Sequence, residues 1–467
     1  MVDLRTGVRM IPTADGLARL AGFPFQLLTW VGADGYPVSA AVQASIDAAA
    51  GGASFDPPAG LDIPTGTEIS LTGSHIRPVP GVGYDQRRHV TVWGHAAPAA
   101  DARLAFTAHA AWGWDESEIP FPEYVERQVG QSRRYLARLS AELGRTIRPR
   151  LSLGWLILRS TRLPFLSATF VPVLVGLAIA ALHGFFEPLP AVLTLVGAAA
   201  VHLALNVAND VFDARSGADE LNVNPTQYSG GSRVIQYGLV SLRGMALISL
   251  GCYAVALACG LALLALRPSV ELLVIGVIGL LVSVFYTAPP FKLVYRGLGE
   301  VAVALGFGPL MLVGAYVVQS GGRLALEPVL ASLPIALLVA LILYVNEVPD
   351  VPADARAGKR TLPVRLPRTT IVNGFWLAAL AAFAAIGAGV LAGVLPIPTL
   401  LALLPLPLVS RVRDGLASHY DQPYALMAVM GTNVRLHMYV GGLLLTGYLV
   451  TLVIAALAPG VPLFLWR

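Results

Sequence analysis

Residues 204–219 read ALNVANDVFDARSGAD, where an apolar run ends in two asparagines and three aspartates. Four of these side chains are spaced i, i+3, i+4 and i+7 along the chain: Asn206, Asn209, Asp210 and Asp213. On a helix this spacing puts all four on one face. Charges beside hydrocarbon cost roughly 2.5–3.5 kcal/mol each, and neighbouring aspartates repel one another unless a positive charge lies between them. The stretch therefore predicts a helix end that holds a cation.

The chain as a whole has the composition of an integral membrane protein. Its 467 residues are 55% hydrophobic and 13% charged, with a mean hydropathy of +0.67. From about residue 155 onward, apolar runs follow one another, each long enough to cross a bilayer core of ~30 Å. We predict a first domain at residues 1–145, a basic linker at 146–159 and a membrane domain at 160–467. The net charge of +4 and the absence of basic runs with interleaved aromatics give no indication of nucleic-acid binding.

Nine membrane spans are predicted, at about 160–182, 189–209, 244–266, 270–288, 298–319, 326–346, 371–393, 395–411 and 437–458. Basic residues in the loops predict their orientation. Loops after the even-numbered spans carry thirteen: Arg215, Arg233, Arg243, Lys292, Arg296, Arg356, Lys359, Arg360, Arg365, Arg368, Arg411, Arg413 and Arg435. Loops after the odd-numbered spans carry two, Arg267 and Arg323. We therefore predict a multi-pass protein of the inner membrane, with the first domain and the even-numbered exits in the cytoplasm and the C-terminus outside. The start of the chain lacks the apolar core of a secretory signal, which agrees with a cytoplasmic first domain.

A second polar segment, YVNEVPDVPADARAGKRTLPVRL, follows the sixth span at residues 344–366. Asn346, Asp350 and Asp354 fall at steps of four, although two prolines must break or kink a helix there. One such cluster alone is usually a solvated loop. Two clusters with matching asparagines on one membrane face favour a shared divalent cation, and hard oxygen ligands with room for waters and phosphates suit Mg²⁺.

Basic residues follow the fourth and sixth spans: Lys292 and Arg296 in PPFKLVYRGLGE, and Lys359 and Arg360 in GKR. Such cations are suited to neutralise a diphosphate leaving group beside the metal. A cation-coupled transporter is the alternative from another class. Transporters usually bind ions near mid-membrane at broken helices, whereas these acids lie at span ends, which favours an enzyme.

NDVFDARSGAD resembles the first aspartate-rich motif of the UbiA superfamily of intramembrane prenyltransferases, and DVPAD resembles its second. The segments YTAPPFKLVYRGLGE and GKRTLPVRL are similar to the MenA-like branch, the 1,4-dihydroxy-2-naphthoate prenyltransferases. The resemblance covers roughly residues 155–460 and matches a nine-helix fold. The usual first motif is NDxxDxxxD, whereas here the third aspartate, Asp219, follows Asp213 by six residues. The role of Asp219 is therefore open.

The resemblance implies transfer of a prenyl group from a prenyl diphosphate to an aromatic acceptor, with loss of CO₂ from a hydroxynaphthoate, in menaquinone biosynthesis. It implies these Mg²⁺ ligands: Asp210, Asp213, Asp219, Asp350 and Asp354. The expected catalytic residues are Asp210, Asp213, Asp350, Asp354 and Lys292. The expected diphosphate-binding residues are Asn206, Asn209, Arg233, Arg296, Asn346, Lys359 and Arg360, with Arg233 equally explained by the positive-inside bias. Tyr286 either faces a carbocation or is an interfacial tyrosine. Hydroxybenzoate, a chlorin, haem or a glycerol-phosphate lipid are the alternative acceptors, and the motif spacing disfavours haem.

The first domain alternates in short β-like patterns over residues 20–114, and the Asp-Gly of VGADGYPVSAAV is a strong hairpin signal. An amphipathic helix is predicted from Pro122 to about Leu143. The hairpin and VTVWGHA resemble the split β-barrel of the pyridoxamine 5'-phosphate oxidase-like flavoproteins. That resemblance implies FMN binding, usually in a homodimer, with Arg77, Arg87 and Arg88 as candidate phosphate ligands. A docking or regulatory barrel without flavin is the alternative.

Overall fold

The computed structural model describes residues 10–63, 66–79, 83–99, 102–147, 152, 154, 163–458 and 460–466. The chain divides into two compact units, Met1–Thr146 and Ile147–Arg467. The basic linker predicted at 146–159 falls mostly outside the described residues.

The first unit is an antiparallel β-sheet with two helices. Its elements are α1 (Thr13–Leu20), β1 (Gln26–Val31), β2 (Pro37–Val42), β3 (Ser45–Asp47), β4 (Gly52–Phe55), β5 (Glu68–Val79), β6 (Gly83–Pro98), β7 (Leu104–Asp115) and α2 (Phe121–Glu142). The seven strands lie in the order β2-β1-β5-β6-β7-β4-β3. Leu28, Leu71 and Phe106 of the sheet are buried with Leu17 and Leu20 of α1, so the sheet has one face on a core.

The predicted hairpin joins β1 and β2, and Gly35 takes the positive φ of 81° that its turn requires. The strands β3 and β4 were not predicted, because SID and GASF are short and carry few β-branched or aromatic residues. The seven strands of the first unit form a β half-barrel, and the flavin-binding split barrel stays a prediction.

The second unit is helical. Its helices are α3 (Ser167–Leu182), α4 (Pro188–Ser216), α5 (Ala218–Leu221), α6 (Leu242–Leu266), α7 (Val270–Thr287), α8 (Gly299–Ser320), α9 (Leu326–Asn346), α10 (Val351–Arg356), α11 (Leu362–Arg365), α12 (Arg368–Leu391), α13 (Pro407–His419) and α14 (Pro423–Leu457). Seven of the described helices are long and apolar enough to cross a membrane: α4, α6, α7, α8, α9, α12 and α14. The first predicted span appears as the shorter apolar helix α3.

The eighth predicted span, 395–411, is not one continuous helix. It consists of a 3₁₀ turn at Ile397–Leu403 and the first residues of α13, a helix that also carries Arg411, Arg413 and Asp414. Four prolines between residues 396 and 407 lack the amide hydrogens that a continuous helix needs. The described chain therefore has seven candidate spans by length and composition, and nine spans stay a prediction.

Helices α8 and α9 form the centre of the second unit, whereas α6 and α7 lie at its edge and expose many apolar side chains. Helix α3 approaches α8 closely at Gly176, where a Cβ would collide with the carbonyl oxygen of Leu312. Exposed apolar helix faces are expected where a bundle meets lipid. This arrangement puts the ends of α4, α7 and α9 side by side around the cavity described next.

Candidate active site

A polar cavity of about 160 Å³ lies at the ends of α4, α7 and α9. Both acidic segments contribute to its wall: Asn206, Asn209, Asp213 and Asp219 from the first, and Asn346, Asp350, Asp354 and Lys359 from the second. These residues are more than a hundred positions apart in the sequence. The fold therefore brings together the two clusters that the sequence suggested would share a cation.

Lys359 ties the two clusters together. Its Nζ lies 3.4 Å from Oδ2 of Asp213 and 3.7 Å from Oδ1 of Asp354, and all three side chains are buried. Burial alone would lower the pKa of Lys359, but the carboxylates around it raise that pKa well above its usual value. Burial raises the pKa of Asp354 to about 7 although Lys359 opposes the shift. The carboxylates are tolerated here because a buried cation lies between them.

Asp213 is held by two further side chains. Asn209 Nδ2 donates to its Oδ2 at 3.0 Å, and the hydroxyl of Tyr295 donates to its Oδ1 at 2.6 Å. Tyr295 is itself fixed, since its carbonyl accepts the backbone N–H of Arg360 at 3.0 Å. No pattern in the sequence singled out Tyr295, although it lies in the basic loop already identified.

The loop after α5 holds the second cluster. Asn222 Nδ2 donates to Oδ1 of Asp350 at 2.8 Å, and the backbone N–H of Gly230 donates to its Oδ2 at 3.0 Å. Gly230 and Gly231 have φ angles of 74° and 75°, which glycine adopts without strain. Asp350 therefore binds a tight turn of the GGSR segment through one oxygen and Asn222 through the other.

Two of the expected metal ligands, Asp210 and Asp219, form hydrogen bonds that hold this loop in place. Asp210 does not line the cavity, and its two oxygens accept the backbone N–H of Ser232 at 3.3 Å each. Asp219 lines the cavity, but its Oδ2 accepts from Gln236 Nε2 at 3.2 Å. The guanidinium of Arg233 donates to the backbone carbonyl of Asp219. All three predicted residues thus hold the loop against the end of α4.

An apolar chamber of about 330 Å³ lies between α4, α6, α7 and α8 and adjoins the polar cavity. Five residues line both spaces: His202, Leu205, Tyr286, Val303 and Phe307. His202 Nδ1 lies 2.7 Å from Oγ1 of Thr169, and its ring packs edge-on against Phe307. Tyr286 is buried, so it is part of the shared wall rather than an exposed interfacial tyrosine.

The match to known proteins covers this region. Residues 169–430, more than half of the chain, match the family model described as the UbiA prenyltransferase family. The chain belongs to this family. Residues before 169 lie outside the matched range.

Several relatives of this UbiA-family chain are named prenyl or phytyl transferases. The 1,4-dihydroxy-2-naphthoate octaprenyltransferase of Escherichia coli (strain K12) is 30% identical over 220 residues, which are 45% of this chain and 68% of that protein. The 2-carboxy-1,4-naphthoquinone phytyltransferase of Synechocystis sp. is 28% identical over 288 residues, 61% of this chain and 90% of that protein. The 1,4-dihydroxy-2-naphthoate octaprenyltransferase of Bacillus subtilis (strain 168) is 23% identical over 308 residues, which are 66% of this chain and 96% of that protein. The prediction of a prenyltransferase is confirmed over that of a transporter.

The cavity of this prenyltransferase contains oxygen atoms that suit a divalent cation. Asn346 Oδ1 and Oδ2 of Asp354 are buried without a hydrogen-bond partner, and both residues line the cavity. Unpaired buried oxygens of this kind are costly unless something positive binds them. Within the part of the chain that the structure describes, no three His, Cys, Asp or Glu side chains are arranged to hold a metal by themselves. The oxygens therefore fit Mg²⁺, which usually takes one or two carboxylates and completes its shell with waters and substrate phosphates.

The remaining predicted cations lie away from the cavity. Lys292 is half-buried with its Nζ 5.4 Å from the centre of the Tyr295 ring, and Arg296 is exposed and donates to the carbonyl of Pro290. Arg360 is exposed. Lys359 alone, of the predicted diphosphate-binding cations, lines the cavity of this UbiA-family protein.

The three arginines proposed as flavin phosphate ligands have partners within the first unit. Arg77 pairs with Asp85 at 2.5 Å, Arg87 pairs with Glu116 at 2.9 Å, and the guanidinium of Arg88 lies over the ring of Phe23. FMN binding by the first unit therefore stays a prediction.

Proposed function

We propose that this protein transfers the prenyl group of a prenyl diphosphate to an aromatic acceptor of the 1,4-dihydroxy-2-naphthoate type, in menaquinone biosynthesis, with Mg²⁺ as cofactor. The observation that carries the proposal is the junction of the two cavities. A small polar space lined by carboxylates and one lysine adjoins a larger apolar chamber, as a ligand with a diphosphate head and a hydrocarbon tail requires. The names of the relatives above support the acceptor.

The residues divide into those that touch the ligands and those that support them. Asp213, Asp350 and Asp354 are the proposed metal ligands, with Asn346 and Glu347 beside them. When bound, Mg²⁺ would supply positive charge to the diphosphate oxygens. Lys359, already buried between the clusters, donates its N–H bonds to the leaving diphosphate. Asp210, Asp219 and Arg233 act through the loop that they hold.

The apolar chamber protects the reaction from water. The allylic C–O bond breaks, its electron pair leaves with the diphosphate, and the resulting carbocation is captured by an acceptor ring carbon, which forms the new C–C bond. A 2-carboxylate on that carbon departs as CO₂ and returns the electron pair to the ring. Water near the cation would compete with the acceptor, so a dry chamber protects it. The buried ring of Tyr286 at the junction is suited to stabilise the cation through its π-face.

We further propose that the polar cavity faces the cytoplasm across the inner membrane. The sequence supports this orientation, because thirteen basic residues follow the even-numbered predicted spans and two follow the odd-numbered ones. A cytoplasmic location is proposed for the first unit as well, with a docking or regulatory role as the alternative to flavin binding.

The activity is tested by incubating the full-length protein in membranes with labelled prenyl diphosphates and a panel of acceptors: dihydroxynaphthoate, hydroxybenzoate, a chlorin and a glycerol phosphate. We expect the prenylated product with the naphthoate alone, loss of product when Mg²⁺ is chelated, and recovery when Mg²⁺ is restored. Product from a different acceptor would replace the naphthoate proposal. Transfer that continues after chelation would contradict the metal site.

Tyr295→Phe tests whether Asp213 must be held in position. The change removes one hydrogen bond to a carboxylate, which is worth about 1.5–3 kcal/mol, so we expect transfer to slow by about tenfold or more without loss of folding. The matched control is Tyr253→Phe, which removes a hydroxyl 2.9 Å from Ser283 Oγ, away from the polar cavity. An unchanged rate in Tyr295→Phe would mean that Asp213 needs no such support.

A further inference from the structure

The apolar chamber is lined by glycines that leave it open. A Cβ built on Gly260 of α6, or on Gly276 or Gly279 of α7, would meet no heavy atom within 4 Å, and all three residues line the chamber. Of the remaining lining glycines, Gly306 of α8 is also open, whereas two others differ. A Cβ on Gly197 would meet Cys259 at 3.1 Å, and one on Gly314 would meet Ile275 at 3.2 Å, so these two are explained by helix packing. Helix packing does not explain Gly260, Gly276 and Gly279, because no neighbouring atom excludes a side chain at these positions.

The open glycines on α7 lie at graded depths from the polar cavity. Tyr286 marks the junction of the two spaces, and Gly279 and Gly276 precede it on the same helix. With 1.5 Å of rise per residue they lie roughly 10 Å and 15 Å from the junction. An extended isoprene unit contributes four main-chain bonds and spans roughly 5 Å. Gly279 and Gly276 therefore lie beside the second to third isoprene units of a tail that starts at the junction.

The chamber is also open along its side. Five of its large apolar lining residues are exposed on the outer surface of the bundle: Leu257, Leu261, Leu273, Val277 and Leu280. They belong to α6 and α7, the helices whose apolar faces are the least covered by protein. Along α7, the lining continues to Leu272, roughly 21 Å from Tyr286. A tail of about four units would fill that length, and a longer tail has a path between α6 and α7 into lipid.

We infer that Gly260, Gly276 and Gly279 are specificity-determining residues that allow this enzyme to use long prenyl donors. The inference rests on the proposed function, because it takes the chamber to hold the prenyl tail. All three positions line the chamber and a Cβ there meets no protein atom, so a larger side chain at any of them has room to extend into the chamber. A bulky residue at Gly279 shortens the tail that fits to about two units, and one at Gly276 shortens it to about three.

The test compares Gly279→Phe and Gly276→Phe with the unchanged protein, in lipid nanodiscs, using geranyl, farnesyl, geranylgeranyl and octaprenyl diphosphates. Gly279→Phe is expected to keep its kcat/KM for the two-unit donor and to lose at least about tenfold for donors of four units or more. Gly276→Phe is expected to keep its kcat/KM for the two-unit and three-unit donors and to lose at least about tenfold for donors of four units or more. The control is Gly251→Phe on α6, an equally open glycine that does not line the chamber, and it should leave all four donors unchanged.

Each outcome has one consequence. Equal changes for all donors, or the same donor dependence in Gly251→Phe, would overturn the inference. No transfer by the unchanged protein with any donor would instead overturn the proposed function. Where a phenylalanine variant does not fold, the leucine variant at the same position carries the test with the same ranking of donors. A leucine variant whose kcat/KM changes equally for long and short donors also overturns the inference.

Discussion

Asp354→Asn is expected to lower kcat/KM for prenyl transfer by about 10³-fold while leaving the protein folded. Oδ2 of Asp354 is buried in the polar cavity without a hydrogen-bond partner, and Oδ1 faces Lys359. In the asparagine variant Lys359 loses one of its two buried carboxylate partners and keeps Asp213 at 3.4 Å, so we expect a lowered Tm in a protein that still folds. Oδ2 of Asp354 is available to a metal. Loss of one preorganised electrostatic contact in a dry site typically costs 10²–10³ in rate, and loss of a ligand from a catalytic metal adds to that cost.

The control for this prediction is Asp421→Asn. Asp421 is an exposed aspartate that pairs with Arg368 at 2.8 Å, so its removal should change neither rate nor stability measurably. Transfer rates are measured in membranes, and folding is followed by thermal unfolding in detergent with and without Mg²⁺. Asp354→Asn should also lose most of the Mg²⁺-induced rise in Tm that the unchanged protein shows. A variant that keeps its full rate would remove Asp354 from the metal site.

The sequence was sufficient to predict which two segments meet. Asp213, Asp354 and Lys359 were each identified from charge beside an apolar run, and the structure places Lys359 Nζ within 4 Å of both carboxylates. This success has a physical basis. Buried charges are so costly near hydrocarbon that a chain keeps them at span ends only when a partner of opposite sign is present. Charges of both signs at the same face therefore carried information about contact.

The roles within the site were harder to predict. Asp210 and Asp213 are three residues apart on α4, yet the loop that carries Ser232 covers one of them and leaves the other in the cavity. Asn222 and Tyr295 reach the site from loops whose paths depend on tertiary packing and on turns at glycines with positive φ. Glu347 was passed over because it stands between the regularly spaced residues of its segment. Helix periodicity predicts which residues share one face of a helix, but it does not predict which loop covers that face.

Lys359→Met is the second prediction with a large effect, and it separates catalysis from stability. Methionine has nearly the same length but no charge, so Asp213 and Asp354 would lose the cation between them. Breaking a buried ion pair by removing one partner typically costs about 3–5 kcal/mol, which should lower Tm clearly in the absence of Mg²⁺. The rate should fall by about 10²–10³-fold, because the diphosphate loses its charged donor.

Added Mg²⁺ should raise the Tm of Lys359→Met more than that of the unchanged protein, since a divalent ion can replace the missing charge between the carboxylates. It should not restore the rate, because the lost N–H donors point at the leaving group rather than at the metal. Lys292→Met is the control: Lys292 is half-buried outside the cavity, so both its Tm and its rate should be nearly unchanged. If instead Mg²⁺ restores the rate of Lys359→Met together with its stability, the lysine serves only to balance charge. The proposed contact between Lys359 and the diphosphate would then be wrong.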